Sequence, residues 1–213
     1  MFSKQPFYSY GILIFWIASL LLILFTPKLE LHQALNSYHT SFLDTIAKYA
    51  TNVGDGLFFV IIALIFLFIS IQKSVVFLLS FLLSAGITQF LKHFVYASHF
   101  RPMHHFQNVA DFHKIDGLTY HFANSFPSGH STSCFALFTV FVLFYSSKKS
   151  WQMVFLLAAI SFAFTRVYLS QHFFEDVFVG SLIGTLTAYF IYFFIGPKLE
   201  KWNYSILNRP KKD

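Results

Sequence analysis

The sequence predicts an all-α integral membrane protein with six transmembrane helices. Of its 213 residues, 56% are hydrophobic and only 11% are charged, whereas a soluble domain has about 25% charged residues. The apolar residues also fall into six separate runs, four of them close to the length of about 20 residues that a helix needs to cross a bilayer. These runs cover residues 8–26, 57–71, 75–95, 131–145, 151–169 and 174–195. We expect the whole chain, residues 1–213, to form a single membrane domain.

The first run is expected to remain in the protein as a helix. A secretory signal peptide ends in a cleavage site of small residues, but this run is followed by Thr26, Pro27 and Lys28. The next segment, residues 27–55, places apolar residues among polar ones. Such a pattern is typical of an amphipathic helix in the membrane interface, and a packed connecting loop explains it equally well.

The second and fourth runs are short for a membrane span, so we expect both helices to extend into their polar flanks. Between the third and fourth runs, residues 96–126 form a polar, histidine-rich segment. It is long for a connection within a compact domain, and long loops are often functional lids. The basic tail 198–213 is expected to lie at the anionic inner leaflet of the membrane.

The distribution of Lys and Arg predicts the orientation of the helices, because cytoplasmic loops of membrane proteins are enriched in these residues. With both termini inside, the inner segments contain nine of the 15 cations and the outer segments contain six, three of which belong to the candidate site. Both termini are therefore expected in the cytoplasm. The inner nine are Lys4, Lys73, Lys148, Lys149, Lys198, Lys201, Arg209, Lys211 and Lys212, and the outer six are Lys28, Lys48, Lys92, Arg101, Lys114 and Arg166.

The formal net charge of +6 does not indicate a nucleic-acid partner. The positive charges lie at helix ends and in the candidate site, and neither a basic helix nor an RNA-binding motif is present. The single cysteine, Cys134, excludes an intrachain disulfide and a cysteine-based metal site. Its apolar neighbours indicate a buried structural thiol.

Polar residues interrupt the apolar sequence in three short clusters, and the third combines Arg166, His172 and Asp176. His172 and Asp176 are four residues apart, so they share one face if both lie on a helix. The carboxylate can then fix one ring nitrogen and leave the other as a nucleophile. Arg166 can bind two phosphate oxygens through its forked guanidinium. For this cluster alone, a structural Arg–Asp pair beside an interfacial histidine is the alternative.

The second cluster, Pro127-Ser128-Gly129-His130, stands at the start of the fourth run. Pro127 suits the beginning of a helix, and the positive end of a helix attracts anions. The Ser128 hydroxyl can donate a hydrogen bond, Gly129 lets the backbone approach an anion, and His130 can protonate a departing oxygen. On its own, the cluster is also compatible with an ordinary turn.

The first cluster consists of Lys92, at the outer end of the third run, and Arg101-Pro102 in the following loop. A lysine at a helix end commonly extends to the membrane interface, and that alternative applies to Lys92 alone. The predicted orientation, however, puts all three clusters on the extracytoplasmic side of the cytoplasmic membrane, facing the periplasm or the exterior. Ionisable residues gathered in this way near a bilayer indicate a functional site.

The three clusters together resemble the motifs of the type 2 phosphatidic acid phosphatase (PAP2) superfamily. That family has Lys, six residues and Arg-Pro; then Pro-Ser-Gly-His; then Ser-Arg, five residues, His, three residues and Asp. The second motif is complete at residues 127–130, and the third matches except that Thr165 replaces the serine. In the first, eight residues separate Lys92 from Arg101, and Phe94 stands where the spacing would put lysine. Residues 51–56 also resemble a stretch before the second helix of bacterial members, so the resemblance covers about residues 51–195.

The resemblance implies a membrane lipid phosphate phosphatase. His172 would attack phosphorus and form a phosphohistidine, Asp176 would orient its ring, and His130 would act as the general acid and then as a base for water. The family needs no metal, and cations in the site can neutralise the developing charge, so we expect no cofactor. The phosphate oxygens would be held by Lys92, Arg101, Ser128, Gly129 and Arg166.

Histidines in or near the long loop invite a metal interpretation, which the spacing does not favour. The adjacent pair His104-His105 does not suit two ligands on one helix, and no convincing acidic or cysteine partner accompanies it. We expect loop histidines at the lipid–water boundary instead of a metal site. They are His93, His99, His104, His105, His113 and His121.

The expected partners are membrane lipids and a lipid phosphate substrate whose chains lie among the Phe-rich helices. Undecaprenyl diphosphate, phosphatidylglycerol phosphate, phosphatidic acid and a lipid A phosphate all fit. A phosphotransferase that passes the phosphate to a second lipid would use the same residues. A transporter or anion-binding membrane protein is the alternative of another class, and it predicts ionisable residues near the bilayer midplane on broken helices. Here those residues lie at the outer ends of the runs, which favours the enzyme.

Overall fold

The computed structural model describes residues 5–208, and every regular element in that part of the chain is helical, as predicted. A 3₁₀ turn, Thr51–Gly54, joins the third helix to the fourth. π-Helical turns continue the fifth helix over Leu91–Val95 and the ninth over Ile191–Ile195, and a 3₁₀ segment follows at Gly196–Trp202. The helices are α1 (Pro6–Phe25), α2 (Lys28–Asn36), α3 (Ser41–Ala50), α4 (Gly56–Leu67), α5 (Ile71–Phe90), α6 (Pro102–Phe106), α7 (Gly129–Tyr145), α8 (Lys149–Tyr168) and α9 (Phe174–Phe190).

All six predicted apolar runs form helices close to their predicted bounds, namely α1, α4, α5, α7, α8 and α9. Four of them, α1, α5, α8 and α9 with their continuations, are long and apolar enough to cross a membrane. α3 and α4 together would make a fifth span, bent by 55°. α7 is apolar but has only 17 residues. These helices fit an integral membrane protein, while the number of six spans stays a prediction.

The two short runs extend into their flanks in different ways. α7 begins at Gly129 with Ser128 as its N-cap, so Pro127 precedes the helix instead of starting it. α4 has only 12 residues, because the Asp55 carboxylate accepts the Leu57 N–H at 2.8 Å and caps the helix there. The polar flank before α4 forms the 3₁₀ turn and α3, so that extension is bent and not straight.

Residues 27–55 form the two short helices α2 and α3, which agrees with the helical interpretation and not with an irregular loop. On α3, Phe42 and Tyr49 are 72% and 70% exposed, whereas Ala47 is buried. An exposed apolar face beside a polar one suits a helix in the membrane interface. That location stays a prediction.

α7 occupies the centre of the bundle, where α5, α8 and α9 pack around it and most of its side chains are buried. Two glycines let α9 come especially close. A Cβ atom at Gly180 would lie 2.7 Å from the Ser128 carbonyl oxygen, and one at Gly184 would overlap the Thr132 carbonyl oxygen. Small residues four apart permit such contacts between membrane helices. The start of α7 is therefore held against the first turns of α9.

One end of the bundle carries the lysines of the predicted inner loops. Lys149, at the start of α8, lies 4.8 Å from the ring centre of Phe7 at the start of α1. Lys73, at the start of α5, lies 4.4 Å from the ring centre of Tyr145 at the end of α7. The ends of α5 and α8 and the start of α7 consequently lie at the opposite end, together with the three polar clusters.

The long loop and the tail both fold back onto the bundle. Within the loop, Met103, Phe106 and Phe112 form a small apolar cluster with Phe173, the residue after the candidate nucleophile. In the tail, the Tyr204 carbonyl accepts the N–H of Ile71 at 2.9 Å. Residues 209–213 of the predicted basic tail lie outside the described residues. The loop thus packs against the residue next to His172, while a role as a lid stays a prediction.

Candidate active site

The eight residues predicted from the three clusters converge at one end of the bundle, from five different segments. The segments are the π turn after α5, the start of α6, the start of α7, the last turn of α8, and the turn that leads into α9. In that order they carry Lys92, Arg101, Ser128 with Gly129 and His130, Arg166, and His172 with Asp176.

His172 and Asp176 form a buried hydrogen-bonded pair. His172 lies in the turn before α9, and its Nδ1 atom is 3.2 Å from Oδ2 of Asp176 in the first turn of that helix. The same oxygen accepts the Phe173 backbone N–H at 2.9 Å. Because this carboxylate reaches back to cap its own helix, it also meets a histidine that precedes the helix. The side chains are only 2% and 0% exposed.

The environment of His172 keeps its ring neutral. Burial lowers the pKa of His172 well below its usual value, and the positive charges of Arg101, Arg166 and Lys92 lower this pKa further. A neutral ring that donates through Nδ1 to the carboxylate has its lone pair on Nε2. Nε2 has no hydrogen-bond partner among residues 5–208. The arrangement therefore presents a nucleophilic nitrogen.

Ser128 is prepared to donate a hydrogen bond at the positive end of α7. Its hydroxyl oxygen accepts from the backbone N–H and the hydroxyl of Ser131, at 3.3 and 2.8 Å. The Ser128 hydroxyl hydrogen thus remains free for an anion. Gly129 and His130 follow as the first helical residues, where backbone N–H groups have no acceptor within the helix. The Ser128 N–H donates to the Asp176 carbonyl at 3.0 Å, which links this helix start to α9.

Arg166 lies in the last turn of α8 with a side chain that is 9% exposed. Its Nη1 atom donates to Oγ1 of Thr51 at 2.9 Å. Its Nε atom is buried and has no partner among the described residues. An unpaired donor on a buried cation calls for an explanation, and a role in binding an anion is one that fits a guanidinium.

Several N–H groups of the Arg101 guanidinium already donate hydrogen bonds to the protein. Its Nε atom donates to the Ala123 carbonyl at 2.9 Å, and its Nη1 atom donates to the Gln171 carbonyl at 3.0 Å. Nη2 is 3.4 Å from the Asn124 carbonyl. Arg101 thereby ties the end of the long loop to the residue before His172. Its predicted phosphate contact stays a prediction, and its geometry adds a role in shaping the loop.

Lys92 is buried near the other site residues instead of extending outwards from the bundle. It lies in the π turn after α5 and is 8% exposed. Its charge acts on His172 together with those of Arg101 and Arg166. Among the described residues, no acceptor pairs with its ammonium group. A π turn holds more residues than an α turn, so it takes up part of the wider spacing between Lys92 and Arg101.

We expect Lys92→Ala to lower kcat/KM for a lipid phosphate by about 10²-fold, the size seen when one donor to a developing oxyanion is removed. Arg101→Ala should be at least as damaging, because it also releases the loop. The measurement is phosphate release by purified protein in detergent. A wild-type kcat/KM in Lys92→Ala would show that Lys92 does not bind the phosphate. The control is Lys114→Ala, which lies in the same loop region but outside the cluster.

Two further side chains support the site, and the sequence motifs did not reveal them. Ser131 orients the Ser128 hydroxyl, as described above. Ser125 is fully buried, and its hydroxyl donates to Oδ2 of Asp176 at 2.5 Å. Ser125 is 51 residues from Asp176 along the chain, so no local spacing signals this contact. Its position two residues before Pro127 is the only sequence clue.

Several of the loop histidines contact other side chains. Nε2 of His113 lies 2.9 Å from Oδ2 of Asp44, and the His113 ring stacks on His39 with centres 3.8 Å apart. His104 stacks on Phe100 in the same way. Within the part of the chain that the structure describes, no three His, Cys, Asp or Glu side chains are grouped as metal ligands.

A comparison with known protein families matches residues 73–199, more than half of the chain, to the PAP2 superfamily. The chain belongs to this superfamily. The resemblance that the three motifs suggested is thereby confirmed, and so is the predicted enzyme class, a phosphoric ester hydrolase.

Relatives of this PAP2 protein include named bacterial phosphatases. It is 29% identical over 171 residues to the undecaprenyl-diphosphatase BcrC of Bacillus subtilis (strain 168), a match that covers 77% of this chain and 81% of the relative. It is 37% identical over 67 residues to the lipid A 1-phosphatase of Porphyromonas gingivalis, but this match spans only 31% of this chain and 15% of that relative.

The fold of this PAP2 protein is also similar to that of a solved structure. The crystal structure of Aquifex aeolicus LpxE superimposes with a TM-score of 0.66 and 26% sequence identity, over 82% of this chain and 96% of the other. Together with the apolar helices, this likeness supports an integral membrane protein.

Proposed function

We propose that this protein is a lipid phosphate phosphatase that works through a phosphohistidine on His172. The observation that carries the proposal is the buried His172–Asp176 pair, which leaves Nε2 without a partner in the described chain and whose ring feels the charges of three nearby cations. A nucleophile oriented by a carboxylate and surrounded by positive charge suits attack on a phosphate group.

In the first step, the Nε2 lone pair forms a bond to phosphorus and the bond from phosphorus to the lipid oxygen breaks. His130 gives its proton to that oxygen, so the lipid leaves as an alcohol or a phosphate. In the second step, water attacks phosphorus while His130 takes a proton from it, and the P–N bond breaks. Arg166, Lys92 and the Ser128 hydroxyl stabilise the charge on the phosphate oxygens in both steps.

The substrate is proposed to be an amphiphilic lipid phosphate, with undecaprenyl diphosphate, phosphatidylglycerol phosphate, phosphatidic acid and a lipid A phosphate as candidates. The relatives named above support the first and the last of these classes. The site residues themselves contact only the phosphate, so they do not choose among the lipids.

The proposal is tested by measuring inorganic phosphate released from a panel of these four lipids by purified protein in detergent. Release without added metal, and unchanged in the presence of a chelator, is expected. Release that disappears with the chelator would contradict direct attack by His172 supported by protein cations alone. A labelled phosphate that appears on a second lipid, and not in water, would identify a phosphotransferase instead.

We further propose six membrane spans with both termini in the cytoplasm and the site on the outer side. The supporting feature is that Lys73 and Lys149 lie at one end of the bundle and His172 at the other, because lysine-rich loops favour the cytoplasm. A reporter fused after Asp213 should therefore show cytoplasmic activity. A periplasmic signal from that fusion would reverse the orientation.

His130→Ala is expected to lower turnover of a phosphomonoester by about 10²- to 10⁴-fold, the usual contribution of a general acid. The loss should be smaller for a lipid diphosphate, because its leaving group is a phosphate, which departs without full protonation more easily than an alkoxide. Comparing kcat/KM for the two substrates measures this difference. His104→Ala, an exposed loop histidine, is the control. Equal losses on both substrates would contradict the role of acid.

A further inference from the structure

The 3₁₀ turn Thr51–Gly54 contacts two helices that carry site residues, although the mechanism above assigns it no role. It packs against α7 and against α8. In the sequence it belongs to residues 51–56, the stretch before the second predicted span, which none of the three motifs includes.

Thr51 fixes the guanidinium of Arg166. Its hydroxyl oxygen accepts the Nη1–H group at 2.9 Å, and the two residues are 8% and 9% exposed. Arg166 Nε is buried too, and has no partner in residues 5–208. Because a guanidinium is planar and rigid, holding Nη1 also sets the direction in which Nε–H points.

The unpaired Nε–H is what separates a ligand-binding arginine from a structural one. A buried structural arginine normally has its donors satisfied by protein groups, and Thr51 satisfies only one nitrogen of this one. A phosphate oxygen at Nε would complete the set, as in common Arg–phosphate contacts. Thr51 thus determines which edge of Arg166 is available to the anion.

Gly54, three residues further on, lies in close contact with His130, the proposed general acid. A Cβ atom at Gly54 would lie 2.8 Å from the His130 carbonyl oxygen and 3.0 Å from the His130 Cβ atom. Such distances are closer than side chains tolerate, so only glycine lets the turn rest directly on the backbone of His130. Arg166 thus bonds the Thr51 hydroxyl, and the backbone of His130 lies against Gly54. One four-residue turn therefore contacts both residues.

We propose that the turn Thr51–Gly54 is a sixth segment of the active site, in which Thr51 positions Arg166 and Gly54 positions His130. The inference rests on the proposed function, since it takes Arg166 as a phosphate ligand and His130 as the general acid. The oxygens held by Arg166 and the leaving oxygen protonated by His130 belong to the same phosphorus. Because one turn positions both residues, it fixes the distance between the bound phosphate and the proton donor.

The test compares Thr51→Val, which keeps the shape but loses the hydroxyl, with Thr51→Ser, which keeps the hydroxyl. Thr51→Val should lower kcat/KM by about 10-fold, as expected when one hydrogen bond to a charged group is lost. It should weaken binding of inorganic phosphate, measured by calorimetry in detergent, by a similar factor. Thr51→Ser should restore most of both. Thr187→Val is the control, because the Thr187 hydroxyl donates only within α9.

A double-variant cycle separates positioning from general damage. In an Arg166→Ala background, Thr51→Val should cause no further loss, since the group it positions is absent. A full 10-fold loss in that background would overturn the inference for Thr51, as would wild-type phosphate affinity in Thr51→Val. Failure of the wild type to release phosphate from any lipid counts against the proposed hydrolase, whereas the phosphate-binding comparison still decides the role of Thr51.

Gly54→Ala tests the other half of the proposal. Because the added methyl group displaces His130, activity on a phosphomonoester should fall at least 10-fold more than activity on a lipid diphosphate, the pattern expected for His130→Ala. An equal loss on both substrates, with unchanged thermal unfolding, would remove Gly54 from the site.

Discussion

Replacing His172 by alanine is expected to reduce phosphate release by about 10⁴-fold or more, because removal of a nucleophile has effects of that size in other enzymes with covalent intermediates. The reason is the proposed role of Nε2 of His172 as the nucleophile, while Nδ1 of the same ring is hydrogen-bonded to Asp176. The measurement is kcat/KM on the best lipid phosphate of the panel. Since the pKa of His172 is held well below its usual value, wild-type activity should persist below about pH 6.5, where an ordinary histidine becomes protonated.

The matched control for this variant is His113→Ala. His113 also bonds a carboxylate, with Nε2 at 2.9 Å from Asp44, but it lies in the long loop outside the cluster. It should retain near-normal turnover. Rapid quenching at alkaline pH with labelled substrate should trap a phosphohistidine in the wild type and none in His172→Ala. Label retained on the His172→Ala protein would show that another residue is the nucleophile.

Asp176→Asn is expected to lower turnover by about 10³- to 10⁴-fold; the corresponding change in a serine protease costs about 10⁴-fold. Oδ2 of Asp176 accepts from His172, Ser125 and the Phe173 backbone, while Oδ1 is buried without a partner in the described chain. An asparagine can keep its oxygen on these donors only by burying an unpaired amide at the Oδ1 position. It also lacks the negative charge that stabilises the imidazolium formed when Nε2 bonds to phosphorus.

Glu175→Gln is the control for this change, because the neighbouring carboxylate pairs with Lys28 and not with the catalytic ring. It should leave kcat within a few-fold of the wild type. The thermal unfolding of both variants in detergent distinguishes a chemical effect from a structural one. If Asp176→Asn kept more than a tenth of wild-type kcat, orientation of His172 by this carboxylate would be contradicted.

The helices could be predicted because their signal is local. A run of apolar residues and a cap are both contained in one stretch of chain, so α7 and α9 begin within two residues of their predicted starts. The bend between α3 and α4 could not be predicted in the same way. It follows from Asp55, which looks like any polar residue in a loop until its carboxylate is seen to cap α4.

The candidate site likewise contains residues that local spacing predicts and residues that only the packing of the helices reveals. His172 and Asp176 are four residues apart and Ser128 to His130 are consecutive, so their spacing alone indicates joint action. The spacing suggested that His172 lies on a helix, but it lies just before one, and the pair forms because Asp176 caps that helix. Thr51 and Ser125 meet their partners across 115 and 51 residues, so only the packing of the bundle reveals them.

Asp176 has a mechanical consequence that its chemistry alone does not suggest. Its carboxylate holds the ring of His172, and its own backbone carbonyl accepts the N–H of Ser128. A single residue thus links His172, in the turn before α9, to the start of α7 at Ser128, and Gly180 and Gly184 hold the same two helices in close contact further along. A displacement of α7 against α9 would have to break the Ser128–Asp176 backbone bond and open the glycine contacts, so the His172 ring and the helix start at Ser128 are expected to move as one unit.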